Sequence, residues 1–295
     1  MVRKLRAFEY LRPGTVAETV ALLQNYQEKA SLLAGGTDLL VFMKMGAKHP
    51  QYVIDMKGIA ALDHLSWAPA DGLKIGSLTT LQSLLRHPLV GEHVPILVQA
   101  AKAVGHPQVR SRATITGNIC TASPSGDMAP SLLALEARVK VSGPGGERII
   151  PVREIFAGPF QTVLAPTDVV TEIQVPALPP YSAGCYRWQS KITAVDETLV
   201  GTAVVVTLAD DGAALKEVRI GLGSVAPTPI RAPRAEEFLR GKHITDGLFA
   251  EAAGIAAGES RPRTRADYRR EIIKVLLEEA LKEAVAHARR NGGGR

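Results

Sequence analysis

Leu32-Leu33-Ala34-Gly35-Gly36-Thr37-Asp38-Leu39 sets two glycines between a short apolar run and a segment with helical character. Lacking Cβ atoms, Gly35 and Gly36 let main-chain N–H groups come close to a ligand. Thr37 adds a hydroxyl, and the start of the following helix adds positive potential. That combination suits a pyrophosphate. The spacing is not G-x-G-x-x-G, so the usual dinucleotide-fold argument does not apply. A Gly-rich strand-to-helix turn without any ligand has the same pattern, and this segment alone leaves both readings open.

A second stretch runs from Thr114 to Asp127 and carries Gly117, Asn118, Cys120, Thr121, Ser123, Ser125 and Gly126. It reads as a long, polar, irregular loop flanked by apolar segments. Such a loop must satisfy its own N–H and C=O groups, and a ligand bearing phosphates and a sugar would do so. Asp127 precedes a helix with Pro130 in its first turn, where the missing N–H costs nothing. Its carboxylate either caps that helix or accepts bonds from ligand hydroxyls. Cys120 reads as a small buried thiol. Gly221-Leu-Gly223-Ser224 reads as a strand end. His64, His87, His93 and His106 lack metal-ligand spacing. Two cysteines are too few for a disulfide framework or a four-thiolate cluster.

The elements that would hold these loops follow from pattern. Thr15 and Glu18 form a capping box for a helix bearing Val16, Val20 and Leu23 on one face. Ser31–Ala34 and Tyr52–Asp55 read as short buried strands, with a helix from Leu39 to Met45. Leu73–Ile75 is a strand, Thr79 or Thr80 caps a helix through Leu85, and 94–104 is an Ala-rich helix. The runs 138–142 and 147–150 pair as a hairpin, and Val169–Val175 alternates as a strand. A Pro-rich linker follows at 176–180. Beyond it, 186–191, 203–209 and 215–222 read as three strands, with a turn at Asp210-Asp211-Gly212. Helices follow at 235–239, 248–257 and 268–288.

The chain has 295 residues, which favours two domains. Its net charge of +6 gathers near the C-terminus, in Arg261, Arg263, Arg265, Arg269, Arg270, Arg289 and Arg290. No basic-aromatic stacking platform accompanies those arginines, so a solvated face or an acidic partner is favoured over nucleic acid. The N-terminus lacks the apolar core of a signal peptide, and no run reaches the ~18 apolar residues of a membrane span. The expectation is a cytoplasmic protein.

Taken together and in order, Leu32–Leu40 and Thr114–Asp127 resemble the FAD-binding domain of molybdenum hydroxylases. This family includes xanthine dehydrogenases and aerobic carbon monoxide dehydrogenases, where the domain is often a separate medium subunit. Val218–Arg231 with Ala235-Glu236, and Thr264–Arg270, are similar to the family's C-terminal domain. The resemblance implies an α+β chain. A two-part FAD-binding domain of the vanillyl-alcohol-oxidase-like (PCMH-type) fold would span 1–176, divided between 57 and 58. A linker at 177–182 would lead to a C-terminal domain over 183–290 with a three-stranded sheet and helices, and 291–295 would be a disordered tail.

For the site, the resemblance implies that Leu32 to Leu39 wraps the FAD pyrophosphate. Thr114, Gly117, Asn118, Thr121, Ser123, Gly126 and Asp127 would contact pyrophosphate, ribityl or adenosine, and Val104 and Val170 would line the cofactor. Two departures stand out. Relatives commonly show Gly-Gly-Asn where this chain has Thr116-Gly117-Asn118. Relatives also carry a lysine near the flavin where this chain has Trp188 and Gln189, leaving Lys191 as the nearest lysine. The resemblance further implies a molybdopterin-binding large subunit, a small subunit with [2Fe-2S] clusters, and a dimer of such heterotrimers. NAD+, a quinone or oxygen would be the acceptor. Two other readings stand beside it: a free-standing flavin oxidase with its own organic substrate, and a scaffold subunit that has lost FAD.

Overall fold

A computed structural model describes residues 5–190, 192, 197–209 and 212–292. The first unit is a parallel sheet of β1 (Glu9–Leu11), β2 (Ala30–Leu33) and β3 (Tyr52–Asp55) in the order β1-β3-β2. Helix α1 (Val16–Tyr26) starts where the capping residues place it. Thr15 Oγ1 accepts from Glu18 N at 3.1 Å, and the Glu18 carboxylate accepts from Gly14 N at 2.7 Å. Val20 and Leu23 turn inward and share a core with Ile54 and Met56. Helix α2 (Leu39–Met45) follows the Gly35-Gly36 turn and ends at Gly46 in the left-handed conformation (φ 78°).

The second unit is an antiparallel sheet. Its strands are β4 (Leu65–Ala68), β5 (Gly72–Gly76), β6 (Arg138–Gly143), β7 (Gly146–Pro151) and β10 (Val169–Val175), in the order β4-β5-β10-β6-β7. The short strands β8 (Phe156–Gly158) and β9 (Gln161–Thr162) form a separate ribbon. Seven helices belong to this unit: α3 (Leu81–Arg86), α4 (Pro88–His93), α5 (Pro95–Ala103), α6 (Pro107–Arg110), α7 (Ile115–Thr121), α8 (Met128–Ala134) and α9 (Val152–Ile155). The small side chains Ala100 and Ala101 let α5 sit close in a core shared with Leu73, Ile75 and Val139.

The last unit carries four antiparallel strands rather than three. Strands β11 (Ser182–Ser190), β12 (Thr198–Leu208) and β13 (Leu215–Gly223) are long, and the two-residue β14 (Ile230–Arg231) adds an edge. Strand β11 already begins at Ser182, the last residue of the expected linker. Helices α10 (Pro233–Leu239), α11 (Leu248–Glu259) and α12 (Ala266–Gly292) pack on one face. The last helix continues through Gly292, so 291 and 292 are helical where a disordered tail was expected. The expected turn residues Asp210 and Asp211 lie outside the described residues.

Every residue of β12 is buried, and the alternation of its side chains explains why. Val204 and Val206 point into the core beneath α11 and α12. Ala203 and Val205 point the other way, into the core of the second unit. A strand sandwiched this way needs a nearly continuous apolar run, and Val200–Val206 supplies it. Each buried valine is worth roughly 1.5–3 kcal/mol. On the neighbouring strand, Gly221 and Gly223 let α8 lie against the sheet. A Cβ on Gly221 would stand 2.1 Å from the Pro130 carbonyl oxygen, and one on Gly223 would stand 2.7 Å from Pro130 Cγ. These glycines end a strand and admit a helix.

Candidate functional site: a cleft between the first two units

The Gly35 turn is pressed against the chain that leads into α7. A Cβ on Gly35 would lie 2.0 Å from the carbonyl oxygen of Arg112, so only glycine fits. Gly36 holds φ +80°, a conformation that favours glycine. The amides of Gly36, Thr37 and Asp38 donate to no main-chain acceptor among the described residues. From the other side, Thr114 caps α7 by accepting from Gly117 N at 3.0 Å. Thr121 Oγ1, at the far end of that helix, lies 2.7 Å from Asp38 Oδ2 and 2.9 Å from Gly117 O, and its single proton is shared between these two acceptors. One hydroxyl therefore ties the two loops together.

Between them opens a cleft of about 470 Å³, within the ordinary range for cofactor sites. The structure brings Leu32, Ala34, Gly35, Gly36, Thr37, Asp38, Leu39, Val104, Thr114, Gly117, Asn118, Thr121 and Val170 onto its walls. Leu33 is turned away, packed with Met43 and Val53. Strand periodicity forces this, because Leu32 and Leu33 must face opposite sides. Ser123, Gly126 and Asp127 also lie off the cleft walls, in the turn that follows α7. Lys191 lies outside the described residues.

The stretch expected to be an irregular loop is half helix. Residues Ile115–Thr121 form α7, so the amides from Asn118 onward are satisfied within the helix and that of Gly117 by Thr114 Oγ1. Ile115 and Thr116, in the first turn, have no carbonyl within the helix to donate to. Ala122 ends it in the left-handed conformation (φ 50°). Asp127 does not cap α8. Asn118 Oδ1 instead accepts from Met128 N at 3.4 Å. The Asp127 carboxylate joins units two and three: its Oδ1 accepts from Tyr186 Oη at 3.0 Å and from Thr198 Oγ1 at 2.6 Å. Burial pushes its carboxyl up to about 6, partly offset by those two hydrogen bonds. Cys120 is exposed and lines the cleft, where a buried thiol was expected.

Several wall residues carried no sequence signal. Phe42 and Phe160 meet edge to face at 6.1 Å. Asp168 lines the cleft, but its carboxylate is held in a bidentate pair with Arg148 and accepts from Ala165 N at 2.7 Å. Ser77 and Thr116 also line the cleft, and the side-chain oxygen of each is buried without a hydrogen-bond partner. A buried unmade hydrogen bond costs about 1–3 kcal/mol. Pinned Gly35, free amides at Gly36 to Asp38 and apolar walls at Val104 and Val170 fit FAD.

Fold and site define a flavin-binding chain. Residues 6–178 match the model of the FAD-binding domain in molybdopterin dehydrogenase, and residues 186–284 match the carbon monoxide dehydrogenase flavoprotein C-terminal domain. The chain belongs to the family of FAD-binding medium subunits of molybdenum hydroxylases. It is 34% identical to the carbon monoxide dehydrogenase medium chain of Hydrogenophaga pseudoflava, covering 95% of this chain and 97% of that one. It is 30% identical to the glyceraldehyde dehydrogenase medium chain of Sulfolobus acidocaldarius, covering 94% and 98%. Its fold superposes on a chain of the Hydrogenophaga pseudoflava carbon monoxide dehydrogenase that lacks the Mo-pyranopterin moiety. The TM-score is 0.92, with 35% identity over 96% of this chain and 99% of that one.

Proposed function

We propose that this chain is the electron-exit subunit of a multi-chain hydroxylase. A large partner carrying the molybdenum cofactor oxidises the organic substrate. A small partner relays the electrons through [2Fe-2S] clusters to this chain. The acceptor is NAD+, a quinone or oxygen, and the complex works in the cytoplasm as a dimer of heterotrimers. When bound, FAD supplies the step between one-electron donors and a two-electron acceptor.

The chain's own residues bind and orient. Gly35 to Leu39 and Thr114 to Thr121 clamp the pyrophosphate from two sides. Val104 and Val170 bury the apolar ring surface. Asp127 sets the seam with the C-terminal domain, where we place the ring end of the cofactor. The observation that carries this reading is the cleft itself, where Gly35 admits no Cβ and the amides of Gly36, Thr37 and Asp38 lack main-chain acceptors among the described residues.

Purified chain incubated with FAD and then desalted should keep flavin absorbance and quench flavin fluorescence. It should also co-purify with two further chains, one binding molybdopterin and one carrying iron–sulfur clusters. A preparation that takes up no flavin would sink the proposal. Among the described residues, no helix is long and apolar enough to cross a membrane.

A further inference from the structure

The ribbon at 156–162 belongs to neither sheet of the first two units. Among the described residues, β8 and β9 pair with each other alone, through Phe156↔Thr162 and Gly158↔Gln161. Val163 N closes the base of the ribbon by donating to Ile155 O at 3.0 Å. Phe160 N tethers its tip by donating to Ala122 O, at the end of α7, at 2.8 Å. A lone two-stranded ribbon has little stability of its own. Elements with few ties of this kind open without unfolding their neighbours.

Phe160 stands at the turn of the ribbon with φ +58°, a conformation that bulky side chains rarely adopt. Its ring lines the cleft and is 55% exposed, which places it at the rim. From the first unit, Phe42 on α2 also lines the cleft and meets that ring edge to face at 6.1 Å. Burial does not account for Phe160, since more than half of it faces solvent. Strained backbone that persists beside a ligand site points to a role at that site. What the arrangement achieves is a contact from one wall of the cleft to the other. An edge-to-face pair has a defined geometry and is weak enough to part and re-form. Helix α2 is the fixed side, because Met43 anchors it in a core with Leu33 and Val53. The ribbon is the side free to move.

We propose that Phe160 and Phe42 form a gate at the rim of the cleft, and that FAD enters and leaves when the ribbon swings Phe160 off Phe42. The inference rests on the FAD reading above and adds to it how the cofactor is admitted and retained.

A gate slows passage in both directions, and this separates it from a plain cofactor contact. The test uses the full chain freed of flavin. FAD uptake is followed by the quenching of its fluorescence in a stopped-flow instrument. Release is followed by exchange of bound radiolabelled FAD against an excess of unlabelled FAD. Phe160→Ala keeps a Cβ, so the backbone preference at this turn is unchanged and only the ring is lost. Uptake and release should both quicken by a similar factor of about two to ten, the scale of one edge-to-face pair. The affinity should stay close to that of the parent. Phe160→Tyr should return both rates to the parent values. Phe42→Ala combined with Phe160→Ala should take up FAD no faster than Phe160→Ala alone, because either change opens the same gate. Faster release with unchanged uptake makes Phe160 a simple contact and overturns the gate, as do unchanged rates in both directions. A parent that takes up no FAD overturns it together with the functional reading beneath it.

Discussion

At the scale of single residues, the site depends on backbone that cannot accept a side chain. Gly35→Ala puts a Cβ 2.0 Å from a main-chain oxygen, which no rotamer relieves. The expected cost is about 1–3 kcal/mol, the scale of overpacking. FAD affinity should fall with it, because the turn must swing off Arg112. Urea unfolding and a flavin titration of the variant check both, and unchanged values in each would refute the close approach. Asp127 gives a prediction of a different kind. Burial holds its carboxyl at about 6 against an ordinary value of 3.8. The folded protein therefore binds that proton more tightly than the unfolded chain. Its contribution is fully present below 3.8 and lost as pH rises through about 6. The loss is on the order of 3 kcal/mol at most. Asp127→Asn keeps an acceptor for Tyr186 and Thr198 and removes the titration. Relative to the parent, it should gain stability steadily between about pH 4 and pH 6 and no further above that range. A stability difference that stays flat over that window would show that burial does not raise the Asp127 carboxyl.

Elements decide which residues can reach the cleft. Thr15, Gly35-Gly36 and the Ala-rich α5 were legible because capping, conformational freedom and close packing leave direct marks on sequence. Helix α7 was not. Thr114–Asp127 is rich in Ser, Thr, Gly and Asn, residues that favour turns, and its helix forms because Thr114 caps it and tertiary packing holds Ile115 and Ile119 inside. For the same reason the site reads only in part. The wall residues Phe160, Asp168 and Ser77 arrive from distant segments that no local pattern joins. Leu33, on the wrong face of its strand, shows that a contiguous motif overstates a site whose strand alternates. The seam between α8 and β13 offers an element-level prediction. Alanine for glycine inside a strand ordinarily stabilises by roughly 0.5–1 kcal/mol. Gly221→Ala should do the reverse, because its Cβ would meet the Pro130 backbone at 2.1 Å. Calorimetry should show the variant melting below the parent as the C-terminal unit loosens. A stabilised protein would contradict the packing.

On the scale of the whole molecule, the question is whether this chain can oxidise an organic substrate alone. Proton removal from a bound molecule needs a base with a free lone pair within hydrogen-bond reach. Of the two carboxylates on the cleft wall, Asp168 has both oxygens held by Arg148 and Ala165 N, while Asp38 accepts from Thr121 through Oδ2. Membership in the medium-subunit family favours the proposed relay over a free-standing oxidase. The FAD-loaded chain, mixed anaerobically with carbon monoxide, an aldehyde or a purine, should keep its flavin absorbance unchanged. Adding the reduced iron–sulfur partner should bleach that absorbance, and adding the molybdenum-containing partner as well should make bleaching depend on the organic substrate. Bleaching by an organic substrate with the isolated chain would overturn the relay and restore the oxidase reading.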